Sequence, residues 1–195
     1  MGSWGATDAD EAKPKFLTTE EKKGVYATAS GWVSQAGQTS SGNDNASAQP
    51  EVLVALRGLA TKIGQATVDT VEIVTTAMDA SEGGVLRVDV HYNEQVTVAT
   101  ASPMVVVTNS QAGGGSAANF TLTMDGALPL TNDTLSFSAT VAGGGAVAAD
   151  DVLSVAAQSI NLNGGTIVDT VGGGNAERAI SGAQGTAAGT ITVVA

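Results

Sequence analysis

The sequence predicts an all-β protein whose main unit is a β-sandwich. Along much of the second two-thirds of the chain, apolar and polar residues alternate with a period of two. This pattern places one face of each strand on a core and the other face in water. Clusters of two or three glycines separate the alternating segments, and glycine supplies the backbone conformations that turns need. Several short strands at this spacing are typical of a sandwich.

Charge divides the chain into two parts. Residues 1–66 contain seven acidic and six basic residues, whereas residues 67–195 contain twelve acidic and two basic residues. We therefore predict an N-terminal attachment segment over 1–66 and a β-sandwich over 67–195. The chain has 195 residues and a net charge of −11. This charge argues against nucleic acid as a partner, because binding phosphates requires cationic side chains.

The first part of the N-terminal segment is predicted to be an extended arm. Residues 8–17 are polar and include one proline. Thr18 and Glu21 have the spacing of a capping box, which predicts the start of a helix. Gly24 and the β-favouring residues 25–28 follow directly, so we expect at most one helical turn.

A β-hairpin is predicted to follow the arm. Residues 31–35 and 51–56 are its two strands, and the turn-rich residues 37–49 join them. For the second strand a helix stays an alternative, because four apolar residues also fit one helical face. These residues are Val52, Leu56, Leu59 and Ile63.

The strands of the sandwich are predicted to begin near residue 71. Their clearest alternation lies in 85–92, where His91 falls on the polar side and is expected to be solvated. The predicted strands are 71–74, 85–92, 95–99, 104–108, 120–124, 135–141, 152–155, 160–162, 166–168 and 190–194.

The sandwich region contains three motifs, at residues 85–98, 132–146 and 159–176. With these motifs it resembles bacterial Ig-like domains of surface and adhesin-type proteins. Residues 85–98 (VLRVDVHYNEQVTV) are similar to the start of those domains, and 132–146 (NDTLSFSATVAGGGA) to a later strand and turn. Residues 159–176 (SINLNGGTIVDTVGGGNA) are similar to their ending. The resemblance covers about 68–180 and keeps the order of the elements. It implies an Ig-like β-sandwich, and it implies no activity.

The N-terminal segment, residues 1–66, contains Trp4-Gly5, Gly31-Trp32-Val33 and Glu51–Leu56 in this order. With these motifs it resembles small virion structural proteins of the decoration type from tailed phages of cyanobacteria and other marine hosts. In this chain the loop between Val33 and Glu51 lacks that family's basic Gly-Arg content, and Leu56 replaces a terminal Met. The resemblance implies that the segment attaches to a virion surface. The matching residues are Trp4-Gly5 with Asp8, Pro14-Lys15, Gly31-Trp32-Val33 and Glu51–Leu56.

Seven residues of this segment are predicted to bind a partner. Buried tryptophan often dominates the energy of an interface, and both tryptophans of the chain lie in this segment. Trp32 is also expected to form the core of its own hairpin. For Trp4 an intermolecular contact and a local core both stay open. The seven residues are Trp4, Phe16, Trp32, Val33, Val52, Val54 and Leu56.

No catalytic, cofactor or metal site is predicted. The absence of cysteine excludes thiolate chemistry, and His91 lacks a partner pattern for a triad. Asp150 and Asp151 are adjacent, so on a strand they would point to opposite faces, and we interpret them as a turn. Calcium is an alternative at four turn residues with oxygen ligands, although their spacing matches no calcium loop. They are Asn161, Asn163, Asp169 and Asn175.

The sequence therefore favours a phage virion protein, most specifically a capsid decoration or cement protein, and not an enzyme. Its partners would be the major capsid protein or another virion protein, together with copies of itself in a homo-oligomer. It would be made in the host cytoplasm without a signal peptide and lie on the capsid exterior, with no membrane segment. The alternatives are an Ig-like module of a bacterial surface adhesin and a phage tail or fibre component. Binding of a host-surface glycan also stays open.

Overall fold

The computed structural model describes residues 13–28, 31–38, 44–55 and 65–195. Over these ranges the chain is all-β, with two short helices. We refer to the described residues between 13 and 55 as the N-terminal module, and to residues 65–195 as the β body.

The N-terminal module consists of one helical turn and a three-stranded antiparallel sheet. Helix α1 begins with a capping box, in which Thr18 N donates to Glu21 Oε2 at 2.7 Å and Thr18 Oγ1 accepts from Glu21 N at 3.3 Å. The predicted helical turn is thus confirmed. The strands pair in the order β1-β2-β3. The elements are α1 (Thr19–Lys23), β1 (Val25–Thr28), β2 (Gly31–Ser34) and β3 (Glu51–Ala55).

The predicted hairpin was incomplete, because β1 adds a third strand to it. Residues 51–55 form a strand, so the helical alternative is wrong for them; the rest of that alternative lies outside the described residues. The β-branched Val25 and Thr28 favour an extended backbone, and β2 has both of its edges paired. Residues 8–12 of the predicted arm lie outside the described ranges. Residues 13–17 contain a turn in which Leu17 N donates to Pro14 O at 3.3 Å, so the arm is irregular there and not extended.

The β body contains ten strands and a second short helix. The ten strands are β4 (Val68–Ile73), β5 (Gly83–Ala99), β6 (Met104–Asn109), β7 (Asn119–Met124), β8 (Leu130–Ala142), β9 (Val152–Val155), β10 (Gln158–Ser159), β11 (Thr166–Asp169), β12 (Ala179–Ile180) and β13 (Thr190–Thr192); the helix is α2 (Gly182–Ala187).

Eight of these strands form one antiparallel sheet around the long strand β5. The first half of β5 pairs with β4 and its second half with β11, while β8 pairs with both halves on the other side. Strands β7, β6, β9 and β13 continue the sheet beyond β8. Its register shifts between His91 and Val96, and such bulges bend a strand. The sheet encloses one core in a barrel-like or sandwich arrangement.

The core is formed by the apolar residues that alternate with polar residues along the strands. Leu86, Val88, Val90 and Tyr92 of β5 are fully buried, as is Phe137 of β8. Burial of an aliphatic or aromatic side chain contributes about 1.5–3 kcal/mol, and these residues join one continuous apolar cluster. The all-β class is confirmed.

Some sequence predictions for the β body were wrong in detail. The two predicted strands 85–92 and 95–99 are one strand, because pairing with β8 continues on both sides of the bulge. The strand expected at 160–162 lies instead at Gln158–Ser159. Helix α2 was missed; it begins at a capping box of Ser181 and Gln184. Gln184 Nε2 then donates to Val68 O at 2.7 Å, which fixes α2 against β4.

Candidate functional site

The predicted partner-binding residues separate into an exposed pair and a buried group. The side chains of Phe16 and Val52 are 69% and 50% exposed. Trp32 and Val33 are each 4% exposed, and Val54 is half-buried. Trp4 and Leu56 lie outside the described residues. The pair available on the surface is thus Phe16 and Val52.

Trp32 forms the core of the N-terminal module. It packs with Val25 and Ala27, and the partly buried Leu17, Leu53 and Val54 pack against this cluster. Trp32 is paired with Ala27 across β1 and β2, so the two side chains lie on the same face of the sheet. The expectation that Trp32 is core to its own sheet is confirmed.

The other face of the module is also buried, and its residue Tyr26 lies near the β body. Tyr26 and Val33 are paired across β1 and β2 and are both buried, and β1 contacts β5. Burial raises the pKa of Tyr26, and the negative charge of Asp133 on β8 raises it further. Both faces of this small sheet are therefore covered, which compensates for the marginal stability of an isolated hairpin.

Ion pairs and a hydrogen bond join the module to the β body. Lys13 Nζ lies 2.6 Å from Asp69 Oδ2, and Lys23 Nζ lies 2.8 Å from Glu72 Oε2. Gln35 Nε2 donates to Asn132 Oδ1 at 2.8 Å. Since the lysine side chains are largely buried, these contacts are shielded from solvent more than ordinary surface pairs.

The expectation that His91 is solvated was wrong. His91 lies on the polar side of the β5 alternation, but it is only 7% exposed because the N-terminal module covers this part of β5. Its Nδ1 is 3.0 Å from Thr134 Oγ1, and its Nε2 is 3.9 Å from Glu72 Oε2. Burial lowers the pKa of His91, although Asp89 and Glu72 act in the opposite direction.

Asp133 is the most unusual titratable group at this junction. It sits opposite the bulge of β5, is fully buried, and neither carboxylate oxygen has a hydrogen-bond partner among the described residues. Burial raises its pKa to about 6, although Lys13 and nearby backbone N–H groups lower it in part. An ionised carboxylate without hydrogen-bond partners is costly to bury, so Asp133 stays protonated to a higher pH than an exposed aspartate does.

A basic cleft of about 530 Å³ opens between the module and the β body. Four of the eight basic residues of the chain line it, together with Asp69. Within the described ranges, Lys15 and Lys22 form no ion pair, whereas Lys13 and Lys23 bind Asp69 and Glu72. The lining residues are Lys13, Lys15, Thr19, Lys22, Lys23, Trp32, Thr67, Asp69, Thr70 and Asn93.

The sequence analysis missed this cleft. Of the two lysine pairs, Lys13 and Lys15 precede α1, and Lys22 and Lys23 form its last residues. Lys13 Nζ donates to Lys22 O at 2.8 Å, which brings the two pairs together. The available signal was this spacing around a capping box, in a chain whose other regions are acidic.

The two aspartates at 150 and 151 form a turn, as predicted, and only one of them is exposed. Asp150 has a φ of 71° in the turn and is exposed. Asp151 is fully buried and accepts hydrogen bonds from Asn109 Nδ2 and Gly113 N, both at 2.8 Å, and from Ala148 N at 3.0 Å. Burial raises the pKa of Asp151, but these hydrogen bonds outweigh it and lower the pKa overall.

The turn residues considered for calcium use their side chains to hold the backbone. Asn161 Oδ1 accepts from Asn163 N at 2.9 Å, and Asp169 Oδ1 accepts from Val171 N at 2.7 Å. Among the residues that the structure describes, no three acidic or histidine side chains are grouped so as to hold a metal ion.

A second, smaller cleft of about 270 Å³ lies near β11. Ser159, Asn175, Glu177 and Arg178 contribute polar groups to it, and Arg178 Nη1 donates to Ile160 O at 3.0 Å. It is a polar surface depression and carries no nucleophile–base pair.

Within the described part of the chain, neither helix is long enough to cross a membrane. No protein-family model, curated protein or solved structure matches the sequence or the fold.

Proposed function

We propose that the protein is a phage virion structural protein that decorates the capsid exterior. In this proposal the N-terminal module binds the major capsid protein or another virion protein, and the acidic β body projects into solvent. The protein has no enzymatic role, and it is made in the host cytoplasm.

The distribution of charge over the two parts carries the proposal. The described residues between 13 and 55 include four basic and four acidic side chains, whereas 65–195 include two basic and twelve acidic ones. A strongly acidic surface repels further acidic protein and stays in solvent. The N-terminal module can approach another protein without this repulsion.

Two exposed apolar residues on the module supply a means of attachment. Phe16 and Val52 would each lose water on contact with a shell, which is favourable for apolar surface. Many such weak contacts on a repeating lattice act together. The resemblance of residues 1–66 to virion decoration proteins supports the same role.

Cosedimentation with empty capsids of a tailed marine phage tests the proposal. The test variant is Phe16→Ser with Val52→Thr, and the matched control is Val85→Thr with Val171→Thr, because Val85 and Val171 are exposed apolar residues of the β body. We expect saturable binding of the wild type and the control, with at least a tenfold loss for the test variant. Point variants are preferable to deletion of the module, since deletion would uncover His91 and Asp133.

Equal loss for both variants, or no binding of the intact chain, would contradict attachment through the module. The second candidate is an Ig-like module of a bacterial surface adhesin, which the resemblance of residues 68–180 favours. For that function the polar cleft at Ser159 and Arg178 is the better site for a host-surface glycan. Retention of the chain on glycans, unaffected by the Phe16 and Val52 changes, would support this candidate instead.

A further inference from the structure

We infer that the basic cleft of one copy binds the acidic end of a second copy of this chain. The acidic end is formed by Asp79, Glu82 and Asp150. The inference concerns contacts between copies of this chain in solution and does not depend on binding to a capsid.

The basic cleft has positive charge that the fold leaves without a partner. Lys13 and Lys23 already bind acidic side chains of β4, but Lys15 and Lys22 have no such partner among the described residues. The cleft therefore presents the positive charges of Lys15 and Lys22 to an incoming carboxylate.

The acidic end is assembled from two turns beside the last residues of the chain. Ala80 N donates to Val194 O at 2.9 Å, and Asp150 N donates to Val193 O at 3.0 Å. These bonds place the 79–83 turn and the Asp150 turn next to each other. Glu82 and Asp150 are exposed and Asp79 is half-buried. The basic residues of the β body are bonded elsewhere, Arg87 to Asp89 and Arg178 to Ile160.

The acidic end lies at the beginning of β5, whereas the cleft lies beside the middle of this strand. Asn93 lines the cleft, whereas Gly83 closes the turn that carries Glu82. Ten residues of strand separate them, which corresponds to about 33 Å at about 3.3 Å per residue. The acidic end of one copy therefore cannot reach the cleft of the same copy, whereas the acidic end of a second copy can bind there.

A contact between two different surfaces has a consequence for assembly. Each copy that joins leaves one cleft and one acidic end unused, so the association continues as a ring or as a chain. A second copy is the favoured occupant because its acidic end carries the opposite charge to Lys15 and Lys22 of the cleft. The two acidic β bodies repel each other in general, so the attraction depends on direct contact between the cleft and the acidic end.

Charge-reversal variants with complementation test the inference. The cleft variant is Lys15→Glu with Lys22→Glu, and the end variant is Glu82→Lys with Asp150→Lys. Sedimentation velocity at about 20 mM salt should show the wild type above its monomer mass of 19.2 kDa, and about 500 mM salt should return it to monomer. Each variant alone should stay monomeric, because cleft and end then carry the same sign.

Mixing the two variants should restore association, since the acidified cleft attracts the basic end and the original cleft attracts the original end. Restoration also shows that both variants are folded. A wild type that stays monomeric at low salt would overturn the inference. So would loss of association in the cleft variant alone, with the end variant unchanged, because the cleft would then bind a different acidic surface. The charge-keeping control Lys15→Arg with Lys22→Arg should behave like the wild type.

Discussion

At the residue scale, Asp133 makes stability depend on pH in an unusual direction. Its pKa is about 6 in the folded protein, against an ordinary value of 3.8. Because folding raises this pKa, protonated Asp133 makes its full contribution to the free energy of unfolding below pH 3.8. This contribution is lost as the pH rises through about 6. The difference between the two values corresponds to a penalty of at most about 3 kcal/mol when the buried group is ionised.

We expect Asp133→Asn to raise the free energy of unfolding at pH 8 relative to wild type, and to have no such advantage at pH 3.5. Urea denaturation of both proteins between these pH values gives the difference, in which the titration of all other groups cancels. In the wild type, His91 has the opposite effect on the pH dependence of stability, because its lowered pKa makes acidification destabilising. The decisive measurement is therefore the difference in the free energy of unfolding between Asp133→Asn and wild type, followed as a function of pH. A pH-independent difference would show that Asp133 is ionised at little cost in the folded protein.

Asp151, also at the residue scale, holds three segments around one carboxylate. Asp151→Ala leaves Asn109 Nδ2 and the backbone N–H groups of Gly113 and Ala148 without their acceptor, and buried donors without partners are destabilising. We expect the melting temperature to fall by about 5–10 °C. The matched control is Asp150→Asn, because Asn tolerates the positive φ at this exposed position and should shift the melting temperature by about 1 °C. Similar shifts for both variants would contradict the role of Asp151.

At the scale of elements, the N-terminal sheet depends on Trp32 and in turn covers His91. Trp32→Ala should empty the small core of the module and weaken its docking on β5, since truncation of a buried tryptophan costs about 3–5 kcal/mol. We expect the pKa of His91, followed by NMR, to rise toward its ordinary value of 6.5 because burial is what lowers it. Phe16→Ala in the same module serves as control, since Phe16 is exposed. An unchanged pKa of His91 in Trp32→Ala would show that docking of the N-terminal module on β5 does not require the core around Trp32.

Most strands could be predicted from the sequence, but the contacts between the two parts of the chain could not. Strands with strict alternation, such as 85–92 and 120–124, were predicted because each faces one core. His91 was misplaced because periodicity indicates the face of a strand but not whether another element covers that face. The cleft was missed for a related reason: Lys15 and Asn93 are distant in sequence and meet only through tertiary contacts.

For the whole molecule, the two parts carry different surfaces on one continuous scaffold. The β body presents acidic turns and isolated apolar residues, whereas the N-terminal module presents Phe16, Val52 and the lysines of the cleft. These surfaces predict that low salt promotes contacts between copies through the cleft, and that apolar contacts through Phe16 and Val52 persist at high salt. Capsid cosedimentation at about 20 and about 500 mM salt separates the two contributions.

The docking of the N-terminal module on β5 and β8 also sets an order of events during synthesis. The module leaves the ribosome before the β body, yet it packs near β5 and near Asp133 on β8. Asp133 emerges about a hundred residues after Tyr26, and translation adds about 5–20 residues per second. Until β8 has emerged, Tyr26 and the rest of its face of the module have nothing to cover them. The module is thus made before the strands that cover it, and during this interval the nascent module depends on the speed of elongation for its protection from misassembly.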